Sequence, residues 1–125
     1  MHFLFLTVCP GAKGIYTDIK GRIDYPEGDS LYENNLDCNF TIKAPENVAI
    51  EFKFSEFDFE GNLVSQNIDW LKIYDANNKK IDEYAMDEKP PTEWRTIESN
   101  VLILRMKTDG STSKKGFVMD WRFTL

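Results

Sequence analysis

Val48-Ala49-Ile50-Glu51-Phe52-Lys53-Phe54 is the stretch that decides the class of fold. Val48, Ile50, Phe52 and Phe54 fall at every second position, with Ala49, Glu51 and Lys53 between them. Successive side chains of a strand point to opposite faces, so this period of two reads as a half-buried β-strand. Leu71 and Ile73 alternate in the same way with Trp70, Lys72 and Tyr74. Val101 to Met106 is nearly continuous apolar, as expected of a strand central to its sheet, and Phe117 to Leu125 reads as an aromatic-rich final strand. Turn signals separate these runs: Pro45-Glu46-Asn47, Glu60-Gly61-Asn62, Ala76-Asn77-Asn78, Pro90-Pro91 and Asp109-Gly110. No segment keeps a helical period beyond a turn or two. The pattern predicts an all-β, jelly-roll-like sandwich of two antiparallel sheets.

Composition narrows the function. The chain has 125 residues, which suits one domain with a single core. Its net charge of −6 argues against nucleic acid or an anionic membrane surface as a partner. No apolar stretch reaches the length of a membrane-spanning helix. The only histidine is His2, the chain contains no G-x-S-x-G, and no glycine-rich loop is placed to cradle phosphate. A carboxylate pair is the chemistry of a glycosidase. The acids of this chain are better explained as metal ligands or surface charge, so the domain reads as non-catalytic.

Three of those acids end apolar runs: Glu60 in F-D-F-E, Asp69 in I-D-W-L-K-I-Y-D and Asp109 in T-D-G-S-T. Strand ends converge at the edge of a sandwich, where three carboxylates repel one another unless a cation lies between them. Hard oxygen donors from several loops suit Ca²⁺. Ordinary solvated loop acids are the other reading of the same residues. Cys9 and Cys38 are the only cysteines, either two unrelated thiols or a bridge between an N-terminal arm and the strand Cys38, Phe40, Ile42. Two cysteines do not make a Zn²⁺ site unaided. Asn39-Phe40-Thr41 is a glycosylation sequon whose asparagine alternates away from the inward Cys38, Phe40 and Ile42, so Asn39 is expected to face outward and accept a glycan. Residues 1–8 read as the remnant of a signal peptide or an N-terminal arm. Phe3 to Val8 is apolar, but no Lys or Arg precedes it, and cleavage after Gly14 would remove Cys9. Residues 9–125 are expected to form the domain.

The stretch G-R-I-D-Y-P-E-G-D-S-L-Y-E-N-N-L-D-C-N-F-T-I resembles the opening of a CUB domain, with Gly21, Ile23, Tyr25, Pro26, Tyr32, Asn34, Cys38, Phe40 and Ile42 in the family's characteristic places. The resemblance continues in order through F-S-E-F-D-F-E, I-D-W-L-K-I-Y-D, E-S-N-V-L-I-L-R-M-K-T-D-G-S-T and K-G-F-V-M-D-W. It implies a jelly-roll-like sandwich, secretion to the extracellular space, and a disulfide between Cys9 and Cys38. It also implies a Ca²⁺ site at one edge, with the Glu60, Asp69 and Asp109 carboxylates and oxygens of Ser111 and Thr112 as ligands and Tyr32 hydrogen-bonded beside them. The partner it implies is an extracellular protein presenting Lys or Arg to that acidic edge. A structural spacer in a larger secreted protease or receptor is a second reading. A spermadhesin-like carbohydrate-binding module is a third, with Trp70, Tyr74 or Trp94 stacking on sugar where they are not part of the core.

The chain departs from the family pattern in four places. The second cysteine pair is missing, with Gln66 at one of its positions and no cysteine between Tyr84 and Glu88. The segment from Glu60 to Asp69 is one residue longer than usual. Asp29 and its neighbours form an insertion between Tyr25 and Tyr32. Thr112 stands where an Asn ligand is common. The first two changes loosen the loop that carries Glu60, and a weaker Ca²⁺ site is expected from them.

Overall fold

The alternating runs form two sheets that face one another. The computed structural model describes residues 7–61 and 68–125. Nine strands occur among them: β1 (Ile15–Tyr16), β2 (Lys20–Tyr25), β3 (Asp37–Lys43), β4 (Ile50–Asp58), β5 (Trp70–Tyr74), β6 (Lys80–Tyr84), β7 (Arg95–Ile97), β8 (Val101–Lys107) and β9 (Gly116–Phe123). One sheet runs β1-β3-β8-β5-β6 and the other β2-β9-β4-β7. Every strand pairing is antiparallel except β1 beside β3. The apolar run Val101–Met106 does lie inside its sheet, between β3 and β5. The all-β sandwich expected from the alternation is the fold.

Inward residues of the first sheet, among them Phe40, Ile42, Leu71, Ile73, Leu102 and Leu104, meet Ile50, Phe52, Phe54, Phe117, Met119 and Trp121 of the second. Aromatic rings interlock edge to face across the gap, Phe40 with Phe117 at 5.5 Å and Tyr25 with Phe40 at 5.1 Å. Gly116 opens β9 at φ +88°, and a Cβ there would run into the Tyr25 carbonyl oxygen. Both the left-handed backbone and the close approach of β2 therefore require glycine. β4 bends at a bulge between Phe54 and Glu56, and beyond the end of β7 the Phe54 N–H donates to the Pro91 carbonyl at 2.9 Å.

Cys9 and Cys38 are joined in a disulfide with their Cα atoms 4.7 Å apart. The bridge fixes the N-terminal arm against β3, and closing a loop of this length stabilises by about 3–4 kcal/mol in the chain-entropy model. Thr7 accepts the Asn39 N–H at 2.8 Å, and Val8 bridges Asn39 in parallel pairing. The same neighbourhood corrects the expectation for Asn39. Alternation does turn it away from Phe40 and the core, but the residue is only 5% exposed. It lies between the arm and Arg105, its partner in β8. The face is closed there, so a glycan on its amide requires the surrounding side chains to part. The expectations for residues 1–6 as a signal remnant or arm, for His2 and for Gln66 lie outside the described residues.

Gly21 generates the sharpest test of the packing. A methyl group there would overlap the Trp121 ring, whose Nε1–H is held by the Asp18 carbonyl at 3.0 Å. Gly21→Ala must push the indole off that bond, at an expected cost of about 1–3 kcal/mol. In urea unfolding the midpoint should fall at constant slope, and an unchanged midpoint would contradict the packing described.

Candidate metal centre

Three loops meet at one pole of the sandwich, and each brings a carboxylate. Phe59 follows the end of β4 and is buried, its ring stacked on Phe57 at 4.3 Å and tilted against Tyr32 at 5.4 Å. That anchoring fixes Glu60, the next residue. Asp69 directly precedes β5, and its N–H donates to the Glu60 carbonyl at 3.0 Å. Asp109 follows β8 by two residues. Its carbonyl accepts the Asn35 N–H at 2.8 Å, which ties it to the loop between β2 and β3.

Asp69 is the centre of the arrangement. It is fully buried, a position a carboxylate tolerates only with hydrogen-bond donors around it. Its Oδ2 accepts the Tyr32 hydroxyl at 2.6 Å and its Oδ1 accepts the Asp109 N–H at 2.8 Å. The Tyr32 oxygen in turn accepts the Glu60 N–H at 2.9 Å. One side chain thus connects the main chain of Glu60, through Tyr32, to that of Asp109. Burial pushes the Tyr32 hydroxyl far above its usual range, and the bond to Asp69 pushes it further, so it remains a donor.

Among the described residues, Lys114 alone offsets the charge around Glu60, against two neighbouring carboxylates. Ligand oxygens of Glu60, Asp69 and Asp109 all lie within 4.8 Å of one another. Glu60 Oε2 and Asp109 Oδ2 are buried atoms without a hydrogen-bond partner among the described residues. Desolvation pushes the Glu60 carboxyl above its ordinary range, and the charges of Asp109 and Asp69 add to this while Lys114 opposes it. Desolvation also raises the Asp69 carboxyl, partly offset by the bonds from Tyr32 and Asp109 and increased by the Asp109 charge. A cluster of oxygen ligands in which two buried carboxylate oxygens are orphaned fits a hard divalent cation. The cluster offers neither nitrogen nor sulfur for a softer one.

The structure therefore brings Glu60, Asp69, Asp109 and Tyr32 together. Asp109 Oδ1 accepts the Ser111 N–H at 3.1 Å and so turns the chain back beside the cluster. Ser111 and Thr112 stand exposed in that turn, Thr112 with φ +57°. Among the described residues neither hydroxyl is hydrogen-bonded to the three carboxylates, and the Ser111 N–H makes the one bond from this turn to them. Thr108 is a structural residue that sequence reasoning missed. Its buried hydroxyl donates to the Glu33 carbonyl and accepts the Leu36 N–H, both at 2.8 Å, locking the Tyr32 loop to the Asp109 loop. The T-D-G-S-T stretch contains it, but a threonine past the last alternating residue carries no periodic signal.

The aromatic candidates are differently placed. Lys72 Nζ lies 3.9 Å from the centre of the Trp70 ring, and Arg122 and Lys53 lie 3.9 and 4.7 Å from that of Trp94. These rings already have cations over them, which leaves less open face for a sugar.

The CUB domain family model matches residues 9–121. The cubilin homolog of Drosophila melanogaster is 31% identical over 104 residues, covering 81% of this chain and 3% of that protein. The chain thus spans a small fraction of that relative's length. A solved CUB1-EGF-CUB2 structure of human MASP-1/3 is 23% identical, with a TM-score of 0.78 over 94% of this chain and 43% of that one. The MASP-1 CUB2 domain bound to Ca²⁺ is also 23% identical, with a TM-score of 0.71 over 89% of this chain and 98% of that one. At these identities the two structures speak for the fold.

The raised carboxyls set the pH dependence of the cation-free protein. Folded Glu60 and Asp69 hold protons that the unfolded chain releases, so stability falls as pH rises from the ordinary carboxylate range through their raised values. Asp37 and Glu51 act in the opposite sense and at lower pH. Hydrogen bonds from Arg105 and Arg122 hold their carboxyls below the usual range, so their contribution is present above that range and lost as pH falls through the lowered values. In chelator the melting temperature should fall as pH rises above the ordinary carboxylate range, and Glu60→Gln should flatten that slope. A slope of the opposite sign, or one untouched by the substitution, would show that the cluster is not under charge stress.

Proposed function

The chain belongs to the CUB domain family, and from that premise we propose that it is a non-catalytic extracellular protein-binding module with one Ca²⁺ at its acidic pole. The observation that carries this reading is the pair of orphaned oxygens, Glu60 Oε2 and Asp109 Oδ2, beside the buried Asp69 carboxylate. A bound Ca²⁺ would supply the positive charge that these three carboxylates lack. Glu60, Asp69 and Asp109 would hold it, with Ser111 and Thr112 as further oxygen donors from the turn. The Tyr32 hydroxyl keeps Asp69 oriented, and the Thr108 bonds keep the Asp109 loop in place.

Docking follows from the exposure of the pole. Glu60 and Asp109 are only half-buried, so carboxylate edges remain open to a Lys or Arg of an extracellular protein. Such a contact is a charge-assisted hydrogen bond, stronger than a neutral one. Loops ordered in advance reduce the entropy cost of association. The disulfide supports an oxidising, extracellular setting. A protein partner is favoured over a sugar because Trp70 and Trp94 carry cations over their rings. No helix among the described residues is long and apolar enough to cross a membrane.

Thermal melting of chelator-stripped protein tests this reading. Added Ca²⁺ should raise the melting temperature by mass action, by the equivalent of about 2.7 kcal/mol at a hundred times the dissociation constant. Native mass spectrometry should find one ion per chain. Asp109→Ala should abolish the response yet keep the fold, because the N–H that bonds Asp69 belongs to the backbone and survives. A melt indifferent to Ca²⁺ in both proteins would leave the acids as surface charge and the domain as a spacer.

A further inference from the structure

The two open sides of the sandwich are not alike. On one, Arg95 of β7 donates to Asp82 of β6 at 2.8 Å and to the Tyr84 hydroxyl at 3.3 Å, so a side chain of one sheet closes over the edge of the other. On the other side β2 is the last strand of its sheet, six residues long, and no strand pairs with its outer edge among the described residues. Hydrogen-bond parity identifies the unused groups. Phe123 N–H donates to the Ile19 carbonyl, so the odd-numbered residues Gly21, Ile23 and Tyr25 face β9 across the ladder. Alternation then turns the N–H and C=O of Lys20, Arg22 and Asp24 toward the free edge. A row of unpaired backbone groups of this kind is a template for another strand.

The side chains on this edge specify which strand fits. We infer that β2 pairs antiparallel with β2 of a second copy of this chain, about a two-fold axis at Ile23. In that register Arg22 stands opposite Asp24 of the partner subunit, and Asp24 opposite Arg22 of the partner subunit. Both pairs also expose their N–H and C=O groups to one another, so charge and backbone are matched at the same positions. The neighbouring registers fail. Shifting the axis one residue toward Gly21 sets Arg22 against its own copy, and shifting it the other way sets Asp24 against its own copy. A like-charged pair at the centre disfavours each of them.

The surroundings leave room for the incoming strand. A cavity of about 650 Å³ lies on the inner side of the edge, lined by Pro10, Tyr16, Ile23, Tyr25 and Phe40 among others. A second of about 420 Å³ lies on the outer side, beside Arg22, Asp24, Pro26 and Lys115. Arg22 is well exposed although bound to Asp120, its partner in β9, at 2.7 Å. Pairing would extend that ion pair into a row of alternating charge: Asp24 of the partner subunit, Arg22, Asp120 and Lys53. None of these residues belongs to the carboxylate cluster, so the inference stands apart from the Ca²⁺ reading.

Sedimentation equilibrium and amide hydrogen exchange of the full chain, run in chelator and again in Ca²⁺, test it. The dimer fraction should rise with concentration up to on the order of 1 mM. Exchange at the Arg22 and Asp24 amides should slow by about tenfold or more between dilute and concentrated samples, while Gly21 and Ile23, already bonded to β9, stay the same. Asp24→Lys, which leaves the Arg22–Asp120 ion pair in place, should abolish both effects. Arg22→Asp should do so as well, and an equimolar mixture of the two variants should restore association, since each then faces opposite charge. Melting of each variant alone reports whether it folds, and the Asp24→Lys result stands without the other. A wild-type chain that stays monomeric at the highest concentration, or a dimer that survives Asp24→Lys, would overturn the inference.

Discussion

The pole of this domain is organised by one buried carboxylate. Asp69 has no exposure to solvent and accepts hydrogen bonds from the Tyr32 hydroxyl and the Asp109 N–H. Removing either donor leaves a charge in the interior without its compensation, at a cost well above that of an ordinary hydrogen bond. Because Tyr32 also receives the Glu60 N–H, the bonds at Asp69 fix three chain segments that are distant in sequence. The loops therefore converge for a reason internal to the fold. Two half-buried acids are then held close to a third, with oxygens left over.

The same arrangement explains how the pole manages without a second disulfide. The main chain at Asp69 is hydrogen-bonded directly to that at Glu60, which closes the base of the intervening loop. A hydrogen bond contributes about 0.5–1.5 kcal/mol net, less than a covalent bridge. At the N-terminus the covalent tie is present, and Cys9–Cys38 holds the arm where Thr7 and Val8 extend the sheet beside β3. The domain is thus fastened firmly at its first strand and more loosely at its acidic pole.

Much of this was legible in the sequence because the sheets have one wet face and one dry face. Ile50, Phe52 and Phe54 alternate with residues in contact with water, and Val101 to Met106 is nearly continuous because Ile103, on the face opposite Leu102 and Leu104, is covered as well. The three acids could be picked out since each ends such a run. Asn39 was misread as open because period two reports the face on which a side chain lies and not what neighbours do to that face. Thr108 was missed because a hydroxyl that bonds two distant main-chain groups has no local pattern. The free edge of β2 could not be read at all. Strand order comes from long-range pairing, and alternation along one strand does not reveal which of its sides is left unpaired.

Carboxylate carbon shifts, followed by NMR as Ca²⁺ is added, address the central claim at the atoms concerned. The side-chain carboxyl carbons of Glu60, Asp69 and Asp109 should move together along a single binding curve that saturates at one ion per chain. Those of Asp37 and Asp120, held by Arg105 and Arg22 elsewhere on the sheets, should stay where they are. Shifts spread weakly over all surface acids, or none at Asp69, would contradict a cation site built around that buried carboxylate.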